Sequence, residues 1–133
     1  RIQWLYGKNG QHFISSILKL ADANPTLTIV ADQFGSPTWT SDIASMITAV
    51  LEQKPSYGLY HYAPEGFTNW ADFSREILNA AQLKNSVTDI ESHQFPRPAK
   101  RPKNSRLNTE KLQSALTITL PEWQASLKEY LST

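Results

Sequence analysis

The seven residues Asp32-Gln33-Phe34-Gly35-Ser36-Pro37-Thr38 put an acid, an amide, a flexible glycine, a rigid proline and a hydroxyl into one bend. They separate a β-like run from a helix-like run. A loop placed there can present backbone groups around Gly35 and the Thr38 hydroxyl to a small polar ligand. The same residue types also make an ordinary strand-to-helix connection ending in a cap, and residue types alone leave both readings open. A second candidate is the run from Pro96 to Arg106, which holds Arg97, Lys100, Arg101, Lys103 and Arg106, five of the chain's 13 cations. Arginine suits bidentate phosphate binding, and the prolines keep the segment extended at low entropic cost. The run reads either as a grip on a diphosphate or as a solvated surface loop. Aromatic residues are not interleaved with the cations, which weakens a nucleic-acid reading. A third candidate is Trp4 with Tyr6. Two apart on a strand, they share one face and either stack on a sugar ring or base or fill the core.

Several chemistries have no residues to carry them. His12, His61 and His93 are scattered, and none has a second ligand at metal spacing. There is no Gly-x-Ser-x-Gly elbow, and with no cysteine there is no thiolate or disulfide chemistry. Asp72 and Glu76, one helical turn apart around Arg75, read as a solvated face. The nearest approach to a dinucleotide turn is Gly7-Lys8-Asn9-Gly10, but Phe13 stands where its third glycine belongs. No tyrosine with room after it has a lysine four residues on: Tyr6, Tyr57, Tyr60 and Tyr62 are followed there by Gly10, His61, Pro64 and Gly66.

These candidates must be positioned by short strands and amphipathic helices. Residues 1–6 alternate and read as a strand, as do 27–31, 58–63 and 87–91. Helical periodicity runs over 11–23 through Phe13, Ile14, Ile17, Leu18 and Ala21, and Asn24-Pro25 stops it. A second helix follows a cap at Thr40 or Ser41, with Asp42 in its first turn and Ile43, Met46, Ile47, Val50 and Leu51 as its buried stripe. Asn69 caps a third, with Trp70, Phe73, Ile77, Leu78 and Ala81 inward. Residues 95–104 form an extended loop. A short helix starts at Asn108 or Thr109 and runs through Leu116. Pro121 opens the last helix, with Trp123, Leu127, Tyr130 and Leu131 as its apolar stripe.

The alternation of helices with short strands is α/β or α+β. At 133 residues, 40% hydrophobic and 19% charged, the chain can bury the core of one soluble domain. A net charge of +1 is too small to argue for nucleic acid as a partner, and no apolar run is long enough to span a bilayer. Strands this few and short are marginal as an independent sheet. A chain that opens with Arg1 inside a strand reads as an excised fragment.

The residues resemble the C-terminal part of the dTDP-4-dehydrorhamnose reductases. These are extended short-chain dehydrogenase/reductases with a Rossmann-like fold that act on nucleotide sugars. The resemblance covers essentially the whole chain. Its marks are Arg1-x-x-Trp4-x-Tyr6-Gly7, Phe13-x-x-x-Ile17-Leu18-x-Leu20-Ala21, Asp32-Gln33-x-Gly35-x-Pro37-Thr38 and Gly58-x-Tyr60-His61. They continue with Arg101-Pro102-x-Asn104-Ser105-x-Leu107-Asn108-Thr109-x-Lys111 and Leu120-Pro121-x-Trp123.

The resemblance implies a cytoplasmic enzyme that reduces the 4-keto group of dTDP-4-dehydro-L-rhamnose with NADPH or NADH. The cofactor and the proton-donating Tyr-x-x-x-Lys pair would lie in an N-terminal Rossmann domain missing here. No catalytic residue, cofactor or metal is therefore expected on residues 1–133, a single substrate-binding domain. Carried over, Trp4 lies near the deoxysugar. Gln33, Gly35, Pro37 and Thr38 form the loop over the cleft. Arg101, Asn104 and Ser105, with Arg97 as a further candidate, hold the nucleotide-sugar end. The strands at 1–6 and 58–63 would complete the missing domain's parallel sheet, leaving here an incomplete one whose open edge invites a homodimer. An epimerase or dehydratase of the same superfamily, or a non-catalytic relative that binds a partner protein, are the alternatives.

Overall fold

A computed structural model describes residues 1–133. Helix α1 spans Phe13–Ala23, and Ile14, Ile17 and Ala21 on its inner face are all buried. His12 caps it. Its Nδ1 accepts the Ser15 N–H, and the Ser15 hydroxyl accepts the His12 N–H at 3.1 Å. Asn24-Pro25 ends the helix as the sequence predicts.

The central strand pair is β2 (Thr26–Val30) with β6 (Ser86–Ile90), parallel and in register from Thr26 opposite Ser86 to Val30 opposite Ile90. A parallel pair requires a crossover, and helix α3 (Trp70–Ala80) packs on both strands. Asn69 caps α3 by accepting the Asp72 N–H at 2.9 Å. Phe73, Ile77 and Leu78 from α3 join Ile14, Ile17, Leu27, Tyr6, Trp123 and Leu127 in the main core. The last two come from α5 (Trp123–Ser132). Arg75 reaches off α3 to Asp72 and Asp89, at 2.7 and 2.5 Å, so the charged face is tied to β6 rather than only solvated.

Three two-residue strands place the loops. β1 (Leu5–Tyr6) runs parallel to β4 (Thr38–Trp39), and β3 (Phe34–Gly35) runs antiparallel to β5 (Thr68–Asn69). No strand pair joins another, so the sheet is incomplete, in keeping with the α/β fragment expected. A second, smaller core of Tyr62, Leu112, Leu116 and Leu120 lies under helix α4 (Glu110–Ala115).

The structure corrects several expectations. Residues 1–6 are not one strand, because Trp4 has φ +45° and breaks the alternation. Trp4 and Tyr6 therefore do not share a face. Tyr6 enters the core, where its hydroxyl is enclosed without a partner. Burial, reinforced by Asp42, pushes the Tyr6 phenol up. Residues 58–63 form no regular strand. They meet Arg1 in a single parallel rung, in which the Arg1 amine donates to the Tyr60 carbonyl at 2.6 Å and the Tyr62 N–H donates to Arg1 at 2.9 Å.

Helix α2 (Thr40–Gln53) starts without a side-chain cap: Trp39 holds the capping position, and Thr40 is already helical. Its predicted stripe is split. Ile43, Met46 and Val50 pack on the smaller core, while Ile47 and Leu51 are 49% and 68% exposed. Pro121 lies two residues ahead of α5, because the Glu65 N–H donates to the Pro121 carbonyl and the Trp123 N–H to the Glu65 carbonyl, which holds Glu122 extended. No helix is long and apolar enough to cross a membrane.

Candidate functional site

Three distant stretches of sequence converge on β3. On one side β3 pairs with β5. On the other it pairs with the basic loop: the Phe34 N–H donates to the Lys103 carbonyl, and the Ser105 N–H donates to the Phe34 carbonyl, both at 2.9 Å. Phe34 thus sits in the middle of a miniature three-stranded patch, and Lys103 to Ser105 form its edge. Backbone pairing of this kind fixes a loop that its own proline-rich composition would leave unanchored.

Asp32 ties the same loop from the side. Its Oδ1 accepts the Ser92 N–H at 2.9 Å and the Ser92 hydroxyl at 2.6 Å, and its Oδ2 faces Lys103 Nζ at 3.3 Å. The Ser92 hydroxyl is the main cause holding the Asp32 carboxyl below its ordinary value, against an opposing effect of burial. Gln33 Nε2 donates to the Ser92 hydroxyl oxygen at 2.8 Å. The Asp-Gln pair therefore organises the 3₁₀ turn Ser92–Gln94.

Trp4 closes the third side. Its indole stacks on Trp70 with centroids 3.5 Å apart and planes 9° off parallel, and Trp70 in turn meets Phe13 at 4.4 Å. The left-handed backbone at Trp4 costs on the order of 1–3 kcal/mol and aims the ring at the loop. The Trp4 carbonyl accepts the Thr38 N–H at 3.1 Å. Gly35 has no φ constraint; what it supplies is space. A Cβ there would lie 2.4 Å from Trp4 Cε2 and 2.8 Å from Ser105 Oγ. Trp4 and Ser105, from opposite ends of the chain, thus both close on Gly35.

The remaining candidates fall into two groups. Pro37 and Thr38 face inward. Thr38 is fully buried, and its hydroxyl donates to the Ser36 carbonyl at 3.1 Å, while the Ser36 hydroxyl donates to the Gly66 carbonyl at 2.8 Å. These residues shape the bend from beneath, and the hydroxyl read as a ligand group is committed within the loop. Asn104, Arg97 and Arg101 are on the surface. Asn104 Oδ1 accepts both the Arg106 N–H and Arg106 Nε–H, at 3.1 and 3.0 Å. The Arg97 guanidinium lies over the Phe95 ring at 4.5 Å. Arg101 has no ion pair or hydrogen bond within the chain, so its donors are free for an anion.

Sequence reasoning did not single out Gln3, whose Oε1 accepts the Ser105 hydroxyl at 2.9 Å. It occupies an unspecified position of Arg1-x-x-Trp4, and no spacing rule marks it. A depression of about 260 Å³ lies between Glu65–Phe67 and Arg106; Ser36 from the bend and Arg106 from the basic run line it, while Trp4, Gly35, Arg101 and Ser105 do not.

The residues present do not fit a dinucleotide. Gly7 is closed against Thr40, where a Cβ would lie 2.3 Å from the hydroxyl oxygen, while Gly10, with φ +86°, borders open space. That pair makes no cradle for a pyrophosphate. The buried phenols of Tyr6 and Tyr62 are both pushed up by burial, so neither is poised as a proton donor near neutral pH. No group of acidic, histidine or cysteine side chains could hold a metal ion.

Comparison with known proteins shows the family. A family described as the RmlD substrate binding domain matches residues 1–133. The chain is 35% identical over 140 residues to a dTDP-4-dehydrorhamnose reductase of Sinorhizobium fredii, covering 96% of this chain and 47% of that protein. A crystal structure of a Bacillus anthracis dTDP-4-dehydrorhamnose reductase in complex with NADP superposes with a TM-score of 0.92 at 31% identity, over 99% of this chain and 46% of that one. An ortholog of that reductase from Clostridium acetobutylicum gives 0.90 at 38% identity, over the same 99% and 46%. The fold is that of the Rossmann-like extended short-chain reductases, and the chain spans about half the length of the relatives it matches.

Proposed function

The chain belongs to the RmlD substrate binding domain family, and on that premise we propose that it binds the dTDP-sugar of a dTDP-4-dehydrorhamnose reductase. The reaction would be reduction of dTDP-4-dehydro-L-rhamnose to dTDP-L-rhamnose. The observation that carries this reading is the contact of Trp4, Gly35 and Ser105 beside a loop whose Arg101 has free donors. An aromatic ring packs on a deoxysugar, and a guanidinium two residues from the pinned Lys103 pairs with the diphosphate.

The nicotinamide cofactor supplies the hydride when bound. In this reading it is held, with the proton donor, on polypeptide outside residues 1–133. The exposed apolar side chains of Ile2, Leu5, Ile47, Leu51 and Leu59 are what that cofactor-binding half covers. Residues 1–133 alone then bind but do not turn over. NADPH oxidation by the isolated chain with dTDP-4-dehydrorhamnose would contradict the proposal, because hydride and proton donors must be held at near-attack distance.

An epimerase or dehydratase would share the fold. The family match and relatives above 30% identity that carry the reductase name favour the reductase. Calorimetry of the intact protein with dTDP tests the site. Arg101→Ala is expected to weaken binding by about tenfold or more, the value of a charge-assisted pair. Equal affinity in both proteins would remove Arg101 from the site.

A further inference from the structure

Gln3 joins the first residues of the chain to the basic loop across 102 positions of sequence. The Ser105 hydroxyl has one proton and two acceptors in reach, Gln3 Oε1 at 2.9 Å and the Phe34 carbonyl at 3.0 Å. If the Gln3 amide turns over, its NH₂ donates to Ser105 Oγ, and the Ser105 proton goes wholly to Phe34. Either orientation keeps the link between Gln3 and Ser105.

The other end of the amide is enclosed in the protein with no hydrogen-bond partner. An amide group buried without a partner is destabilising, because its hydration is lost and not replaced. A shorter or apolar residue at position 3 would avoid that cost, so packing alone does not explain a glutamine here. Gln3 also immediately precedes Trp4, whose ring lies against Gly35. One residue thus sets both the serine that closes the basic loop and the start of the strained turn that carries the indole.

We propose that Gln3 is a positioning residue of the site: through Ser105 it fixes the register of the Arg101–Ser105 segment against Phe34 and Trp4. It acts on binding of the dTDP moiety and not on the hydride step. This rests on the function proposed above, and the test separates the two.

In the intact protein, Gln3→Ala and Ser105→Ala each weaken dTDP about fivefold to tenfold by calorimetry, the value of one hydrogen bond. The double variant is no weaker than either single one, because the two residues act as a unit. KM for the dTDP-sugar rises by a similar factor, while kcat stays within about twofold. Gln3→Met, which keeps the shape of the side chain without an acceptor for the Ser105 hydroxyl, loses as much affinity as Gln3→Ala. Amide hydrogen exchange without ligand is the independent arm. The Ser105 amide, bonded to Phe34, exchanges faster in Gln3→Ala, while amides of β2 and β6 keep their protection.

Wild-type protein that fails to bind dTDP would remove the function proposed above, with the exchange arm still deciding on Gln3. Unchanged Ser105 exchange in Gln3→Ala overturns the positioning role. So do losses that multiply in the double variant, or a fall in kcat at constant KM.

Discussion

Gly35→Ala is the sharpest perturbation of the site, because one methyl group meets three atoms of two packed side chains. The added Cβ would stand 2.4 Å from Trp4 Cε2, 2.7 Å from Trp4 Nε1 and 2.8 Å from Ser105 Oγ. Ordinary carbon contacts begin near 3.4 Å, so the indole must retreat by roughly 1 Å. Its freedom to do so is limited: Trp70 is stacked on the indole with centroids 3.5 Å apart, and Phe13 backs Trp70. Ser105 cannot give way either without losing its bonds to Gln3 and Phe34. Overpacking of this kind costs about 1–3 kcal/mol. For a domain of this size that lowers the melting midpoint by roughly 4–10 °C. Gly10→Ala is the control. It has open space but φ +86°, so it pays backbone strain of about 1 kcal/mol and leaves the site alone. Urea unfolding and dTDP calorimetry on both variants of the intact protein decide the matter. The expected result is that Gly35→Ala loses both stability and binding, while Gly10→Ala loses only stability. Gly35→Ala with wild-type stability and affinity would refute the packing argument.

Three further outcomes follow from the geometry. Asp32→Ala should cost about 2 kcal/mol through its bonds to Ser92, with little from the exposed Lys103. Because the folded carboxyl titrates below its ordinary 3.8, its stabilisation is complete above that value and is lost as pH falls through the lower folded value. Urea titrations at pH 5 and pH 3 should show a steeper loss in wild type than in Asp32→Asn, and equal slopes would count against it. Burial lowers His12 below 6.5, overriding the Gly7 carbonyl, so the neutral cap on α1 is fully stabilising above 6.5 and weakens as pH drops below it. Its Nε2 also meets the Tyr130 hydroxyl at 3.2 Å, so melting midpoints at pH 7.5 and 5.5 should differ more in wild type than in His12→Gln. Finally, residues 1–133 expressed alone should self-associate through the exposed apolar stripe of α2 rather than through a sheet edge, and Ile47→Glu with Leu51→Glu should return a monomer in sedimentation. A concentration-independent wild-type monomer would contradict this.

The helices were legible because their periodicity is a direct image of burial. Ile14, Ile17 and Ala21 in α1, and Phe73, Ile77 and Leu78 in α3, are buried as their spacing requires. The stripe of α2 misled in part, because apolar spacing says which face seeks a partner and not whether this chain provides it; Ile47 and Leu51 are left outside. The strand expected over residues 1–6 failed at Trp4, since a positive φ at a tryptophan leaves no compositional trace. Within the site, residue types pointed to the loop and the basic run, but not to how they meet. The bonds of Phe34 with Lys103 and Ser105 are made by backbone, which side-chain patterns do not encode. Thr38 reads as a ligand hydroxyl from its type alone, and only the fold reveals that it donates to the Ser36 carbonyl. Gln3 is invisible for a related reason: its partner is 102 residues away.

The central claim is that a sugar nucleotide is gripped where Trp4, Gly35 and the Arg101–Ser105 segment meet. An amide and indole NMR titration of the intact protein with dTDP tests it most directly. Saturable shifts concentrated at the Trp4 indole, Gly35, Asn104 and Ser105, and lost in Arg101→Ala, are the predicted result. Shifts confined to the Glu65–Phe67 depression, or no response, would contradict it.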